Sequence, residues 1–560
     1  MSGKGRVWVL LVILVVLGTT VYLARAGRVP QDSVLLIDLT GPVEEEKPFG
    51  FLGSLFGGDV VVLHNVLDAI DEAKTDSRIN GVVVKVRNPE ARWAKLQEIR
   101  QHLLEYRASG KPSLCLLGGD FNPNRDYFVA TGCSQVWLVP TAPLGITGLM
   151  AQSTFYRGTF DKLHIVPEFF HIAEYKTAAN QYMEKKYTPA HREMADSLMR
   201  STYDQFVEAI VSGRKLERAQ VEGLVAQGPL NSKEALDAKL VDRLGYYDEV
   251  QTYFKDRTGK WQTVDLDRYV KQIKNDGIDK IAVVAASGEI LVGESEWTQS
   301  TGFVMGSDSV AADLRRVRED SSIKAIVFRV DSPGGSAVAS DIIGREVSLA
   351  AKVKPVVVSM SDVAGSGGYW IAMSGTKIIA DGATLTGSIG VVLGKLNISG
   401  LYDMVGLSTD GLQTSDNATI FSEQQNFSPA QRQKIQSMMQ SLYQQFCKGV
   451  AEGRHMSVER VNEIGRGRVW TGTQGKDLGL VDEVGGLTRA IAVARELSHI
   501  PAGSKVQLVY YPREKTFFEN LMSSSDERKS GANVLSHVRS LAARLSATTE
   551  LRMPFDMEIR

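Results

Sequence analysis

The sequence predicts an α/β protein made of two copies of one parallel-sheet domain, set behind a single N-terminal apolar span. Three observations lead there. Short β-branched runs alternate with helical stretches, as in "KIAVVAAS", "SVAADLRRVRED", "IKAIVFRV", "ASDIIGREVSLAAK" and "PVVVSM". Segments of the first half recur in the same order in the second. Residues 7–24, "VWVLLVILVVLGTTVYLA", form an uncharged run about as long as a helix needs to cross a bilayer, ~18–20 residues.

The apolar run comes first. Lys4 and Arg6 precede it and favour a cytoplasmic N-terminus, although Arg25 and Arg28 beyond it weaken that asymmetry. "ARA" at 24–26 resembles a cleavage motif, so a removed signal peptide is the competing reading. The run exceeds the ~7–15 residues of a usual signal core, and a retained single-pass anchor over 7–25 is expected. On either reading the bulk of the chain lies outside the cytoplasmic membrane.

The remainder, within 560 residues, is too long for one ordinary core. "DSRINGVVVKV" (76–86) matches "DSSIKAIVFRV" (320–330), and "FDKL" (160–163) matches "YDMV" (402–405). "YTPAHRE" (187–193) pairs with "FSPAQRQ" (427–433), and "AKLVDRLG" (238–245) with "LGLVDEVG" (478–485). Such ordered self-similarity indicates a duplicated domain. A first repeat is expected over 33–255, a connector near 255–278, a second repeat over 279–512, and a peripheral tail over 513–560. Near-continuous apolar strands alternating with helices imply parallel sheets covered on both faces. Functional groups then gather at the carboxyl ends of strands.

Composition narrows the function. Lys and Arg (64) nearly balance Asp and Glu (65), so nothing draws the chain to nucleic acid, and no nucleic-acid partner is expected. Cys115, Cys133 and Cys447 lack CxxC spacing and imply no metal site. A Cys115–Cys133 bridge is open, but buried free thiols are the favoured reading.

The two copies differ where chemistry would sit. The second has "DSPGGS" (331–336) where the first has "RNPEAR" (87–92), so both glycines are replaced. "AGSGG" (364–368) fits a strand-to-helix nucleophile turn with alanine in its first place, exposing Ser366. Aligning Tyr127 with Tyr369 sets Asn124 opposite that serine. Gly334 and Gly335 permit close backbone approach, and a freed N–H there with that of Gly367 would form a two-donor oxyanion hole. The alternative, a small-residue turn packing a helix onto a sheet, explains neither loss in the first copy.

A serine nucleophile needs a base, and the second copy has no histidine before His455, whose polar surroundings suggest a surface position. Serine–lysine pairs are the known variant. The first copy holds Lys176 in "HIAEYKTAANQ", where the second has no lysine.

"DSPGGS", "GSGGYWIA", "LTGSIGV" and "AEYKTAANQ", in a duplicated chain behind an apolar span, together resemble the signal peptide peptidase A family in its long two-repeat bacterial form. The resemblance implies a Clp-protease/crotonase-like fold in tandem and a membrane-bound serine endopeptidase without cofactor. It makes Ser366 the nucleophile, Lys176 the general base, Ser388 the serine that orients the lysine and Gly335 an oxyanion donor. Thr177 stands where the family commonly has serine. Implied substrates are signal-peptide remnants and unfolded apolar peptides. The implied assembly is a bowl-shaped homotetramer on the extracytoplasmic face of a bacterial inner membrane. Lysine is cationic at neutral pH, with a solution pKa near ~10.4, so the assignment requires a dry cleft that disfavours the charge. A crotonase-like acyl-CoA enzyme and a non-catalytic membrane scaffold are the competing functions.

Overall fold

The computed structural model describes residues 29–49, 58–298, 300–501 and 503–513, together with 550–552 and 558–559. The expected anchor at 7–25 lies outside these residues. Among the described residues no helix is long and apolar enough to cross a membrane.

In the first repeat, β1 (Ser33–Glu44), α1 (Leu63–Thr75), β2 (Ile79–Glu90), α2 (Trp93–Ala108), β3 (Ser113–Leu117), α3 (Asn124–Ala130) and β4 (Gln135–Leu138) follow the predicted alternation. The four strands lie in the order β1-β2-β3-β4, all parallel, with Val61–Val62 and Arg243–Leu244 at the two ends of the path. Two later elements matter below: β5 (Val166–His171) and the long α4 (Pro189–Arg214).

The second repeat repeats the plan with β6 (Asp279–Ser287), α5 (Ser307–Glu319), β7 (Ile323–Ser332), β8 (Gly334–Ser336), α6 (Ala337–Ala351), β9 (Val356–Gly365), α7 (Gly367–Ala372), β10 (Lys377–Ala380), β11 (Leu385–Gly387), β12 (Val392–Asn397) and α8 (Pro429–Arg454). Strands β6, β7 and β9 are parallel neighbours, and β10 and β11 both pair in parallel with β9. Residues of β9 are buried along its whole length, which is why "PVVVSM" reads as an unbroken apolar run.

The duplication is visible in detail. Helices α4 and α8 are each 26 residues long, begin after the N-caps Thr188 and Ser428, and carry proline in their first turn. They end at Lys215 (φ 55°) and His455 (φ 54°), left-handed residues whose N–H groups close the last turn. His455 is exposed, as its surroundings suggested. Tyr127 donates to the Leu240 carbonyl at 2.7 Å, and Tyr369 to that of Leu480 at 2.9 Å.

The repeats do not stand apart. Val283, Val327, Val357 and Ile379 of the second sheet share one buried cluster with Ile70, Leu96 and Phe206 of the first repeat. Charges cross the same boundary. Arg329, fully buried, donates to Glu45 (2.8 Å) and Glu98 (2.5 Å), and to the hydroxyls of Ser359 and Ser361. A third sheet joins the halves by main chain, because first-repeat β5 pairs antiparallel with second-repeat β12 from Val166↔Asn397 to His171↔Val392.

Two expectations are corrected. Cys115 and Cys133 form a disulfide and are not free thiols, whereas Cys447 is free and buried. The α3 crossover returns the chain beside β3 after only 18 residues, bringing the two Cα atoms to 5.8 Å, within bridging range. The described parts of the tail are not peripheral. Glu550–Arg552 pairs with β8 and touches β12 at Val392, and Glu558–Ile559 pairs with Ala151–Gln152. Strand edges at β8 and β12 present backbone donors and acceptors that a neighbouring strand satisfies.

Burial pushes the Glu45 carboxyl upward, but the adjacent Arg329 and Lys95 charges outweigh it and hold the group at about 2. A depressed carboxyl contributes stability above its unfolded value, lost as pH falls toward its folded one. Replacing Arg329 with methionine leaves buried carboxylates without their counter-charge, a loss of about 3–5 kcal/mol near neutrality. Urea denaturation at several pH values should show that loss shrinking as pH falls from about 4.5 toward 2; a pH-independent loss would contradict the assignment.

Candidate active site

Strand β9 ends at Gly365, and Ser366 turns sharply with φ 55° and ψ −114° before α7 begins at Gly367. A non-glycine residue held there stores about 1–3 kcal/mol of strain, sustained only by its surroundings. The Ser366 N–H donates to the Gly387 carbonyl at 2.8 Å, and its carbonyl accepts from Trp370 at 2.9 Å. The two glycines that follow are required by crowding. A Cβ on Gly367 would stand 2.5 Å from Ser340 Oγ and 3.0 Å from Gly334 Cα; one on Gly368 would stand 2.6 Å from the Ser332 carbonyl oxygen. The elbow therefore presses against the "DSPGG" loop, as the paired motifs suggested.

In that loop Gly335 has φ 149°, and a Cβ there would meet the Ile290 carbonyl oxygen at 2.2 Å. Its amide nitrogen lies 3.2 Å from where a Gly367 Cβ would be. Gly335 and Gly367, the two predicted oxyanion donors, are thus main-chain neighbours.

The β5–β12 pairing brings in the lysine. Beyond His171 the Ile172 N–H donates to Val391 O (3.2 Å) and the Tyr175 N–H to Arg466 O (3.2 Å). Glu174–Arg466 (2.7 Å), Glu193–Arg468 (2.6 Å) and Glu168–Arg432 ion pairs fasten the flanks. Lys176 then enters fully buried, with Nζ 2.7 Å from Ser366 Oγ, 3.1 Å from Ser388 Oγ and 3.2 Å from the Ser388 carbonyl oxygen. Ser366 and Ser388 are also fully buried. Ser388 holds φ 52° and donates its N–H to Arg468 O at 2.7 Å. The serine and the lysine meet within one chain, 190 positions apart.

Sequence reading missed the wall behind the lysine. At Gly467 (φ 78°) a Cβ would lie 2.4–2.5 Å from the Lys176 N, Cα and Cβ atoms, so only glycine lets this main chain pass so near. "GRGRVW" (465–470) is the available signal: two glycines alternating with two arginines, just before a strand. Thr177 is buried beside the lysine, and its hydroxyl has no hydrogen-bond partner among the described residues.

The corresponding place in the first repeat is closed by side chains. Asn124 stands at the serine's position, donating to Gly148 O (2.8 Å) and accepting from the Thr147 N–H (3.1 Å). Asp126 accepts from the Asn88 N–H at 2.9 Å, fastening the turn that has lost its glycines. Among the described residues no cluster of histidine, cysteine or carboxylate side chains is arranged to hold a metal.

Comparison with known proteins identifies the family. The profile of Peptidase family S49 matches residues 105–260 and 348–501, one stretch in each repeat. The chain is 32% identical over 538 residues to "Serine protease SPPA, chloroplastic" of Arabidopsis thaliana, covering 93% of this chain and 77% of that one. It is 32% identical over 517 residues to "Protease 4" of Salmonella typhi, covering 88% and 82%. A shorter relative, "Putative signal peptide peptidase SppA" of Enterococcus faecium, is 32% identical over 204 residues, 36% of this chain and 57% of that one. These matches define a serine protease. The chain belongs to peptidase family S49, with both repeats matched, as its motifs implied.

Substituting alanine for Gly467 should displace Lys176 and lower peptide hydrolysis about 10²-fold, the scale expected for a misplacement of roughly 1 Å. Assay of the purified variant against casein checks this; activity within twofold of the parent would show that the close approach is not needed.

Proposed function

We propose that the chain is a membrane-anchored endopeptidase working through a Ser366–Lys176 dyad, with signal-peptide remnants and other unfolded apolar peptides as substrates. The observation that carries the proposal is the 2.7 Å separation of Lys176 Nζ and Ser366 Oγ in a site where both residues are wholly buried. Burial disfavours an ammonium and favours the neutral amine, which is the form able to accept a proton.

Neutral Lys176 takes the Ser366 proton as Oγ attacks the peptide carbonyl. Charge developing on the carbonyl oxygen is met by the Gly335 and Gly367 N–H groups. The tetrahedral species collapses as Lys176 returns the proton to the leaving amine, giving an acyl-enzyme and the first product. Water then attacks the ester, losing a proton to Lys176, and the second product leaves with the serine restored. Ser388 holds the amine toward Oγ throughout.

The pairing of Glu550–Arg552 with β8 supports a peptide substrate, because an extended chain lies along this edge, beside Gly335. An acyl-CoA reaction would not require Ser366. The resemblance to the two-repeat family supports the anchor at 7–25, a bacterial inner-membrane position with the folded part extracytoplasmic, and a homotetramer.

Ser366→Ala and Lys176→Met should each lower peptide cleavage by roughly 10³-fold or more. A fluorophosphonate should label the parent at Ser366 and fail to label Ser366→Ala. Activity should rise with pH as the lysine ammonium loses its proton, since the amine is the working form. Substantial cleavage by Lys176→Met would overturn the dyad.

A further inference from the structure

The first repeat sends a second lysine to the strands that carry the serine and the glycine loop. Lys95 is the third residue of α2, is 4% exposed, and places Nζ 2.9 Å from Asp331 Oδ2 and 3.1 Å from the Val43 carbonyl oxygen. Asp362 lies at 3.8 Å and Glu44 at 3.9 Å. A cation buried at a helix N-terminus works against the helix dipole, so these carboxylates must hold it. Asp362 also accepts the Arg92 and Lys95 N–H groups, each at 3.1 Å, capping the first repeat's helix from the second repeat.

The two carboxylates mark a break in the sheet. Along β7 and β9, Val330 pairs with Met360 and the next pair is Ser332 with Ala364, so Asp331 alone faces Ser361, Asp362 and Val363. Bulges of this kind re-aim the residues that follow. Here the bulge is bridged by Asp331 accepting from the Val363 N–H at 3.1 Å, and by Lys95 lying between Asp331 and Asp362. Four residues beyond Asp331 is Gly335; four beyond Asp362 is Ser366.

Divergence of the repeats follows the same division. Trp93 and Ala337 both open their helices, so the counterpart of Lys95 is Ala339. The counterpart of Asp331 is Arg87, which pairs with Asp38 on the surface. The lysine exists only in the copy whose helix packs against β9, and the carboxylate at 331 only in the copy that carries the serine.

We infer that Lys95 is a positioning residue for Ser366: by holding Asp331 and Asp362 together it fixes the distance between the oxyanion strand and the nucleophile turn. The inference rests on the Ser366–Lys176 reading above. It is tested in the full chain with Lys95→Met, Lys95→Arg and Asp331→Asn, each assayed on a peptide substrate with active sites counted by fluorophosphonate titration.

In Lys95→Met, kcat per titrated site should fall about 10–100-fold, in line with the cost of small misplacements, with KM changed less than about threefold. The pH midpoint of the rate should stay where it is, because Lys176 is untouched, and Lys95→Arg should recover most of the loss. A purely structural ion pair would lower Tm and the number of titratable sites while leaving kcat per site within twofold; that result, or a rise in KM alone, overturns the inference. Should Lys95→Met fail to fold, Asp331→Asn keeps the acceptor for Val363 and should still lower kcat per site about 5–10-fold, and an unchanged value overturns the inference equally. Ser366→Ala separates the two levels. If it retains cleavage, the dyad reading and this inference fall together; if it is inactive while Lys95→Met is normal per site, only the role of Lys95 falls.

Discussion

Lys176 reaches Ser366 because a strand of one repeat completes a sheet of the other. The six-residue pairing of β5 with β12 sets the register, and five residues further on the lysine enters the interior fully buried. A one-residue slip in that pairing would turn alternate side chains to the opposite face and re-aim the segment that follows. The surrounding charge pairs, the glycine at 467 and the shared hydrophobic cluster all maintain this one registration. On the dyad proposed above, burial is what the chemistry needs, since the same amine in water would be protonated and unable to accept a proton.

Much of the architecture is legible in the sequence, and for identifiable reasons. Buried parallel strands must be apolar throughout, so "VVVKV", "IVFRV" and "PVVVSM" announce themselves. Duplication made the comparison of "DSPGGS" with "RNPEAR" informative, because one copy serves as a control for the other. The serine was legible from its own neighbourhood. The lysine was not: its role depends on a strand pairing between distant segments, and spacing alone offers no trace of it, so family likeness had to supply the assignment. Gly467 escaped notice for the same reason. The bridge between Cys115 and Cys133 has no clear trace in the sequence, because its geometry arises from a crossover whose return point only the fold reveals.

The buried polar contacts between the repeats are unevenly distributed. Arg329, Glu45 and Glu98 lie within the shared interior, while Lys95, Asp331 and Asp362 lie at the strand ends, beneath the two loops that carry the glycines and the serine. Buried ions are poor stabilisers relative to apolar packing but demanding of geometry. Their use at this boundary favours a fixed relation between the halves over mere adhesion. The vestigial turn in the first repeat tells the same story from the other side: with Asn124 and Asp126 tying down its backbone, it has become a rigid support.

The order of the two halves along the chain has a temporal meaning. Synthesis delivers the amine early and the hydroxyl 190 residues later, so on the proposed dyad a nascent or truncated polypeptide that ends between them holds a base with no partner. On that reading only a finished molecule, with its second half folded against its first, is armed.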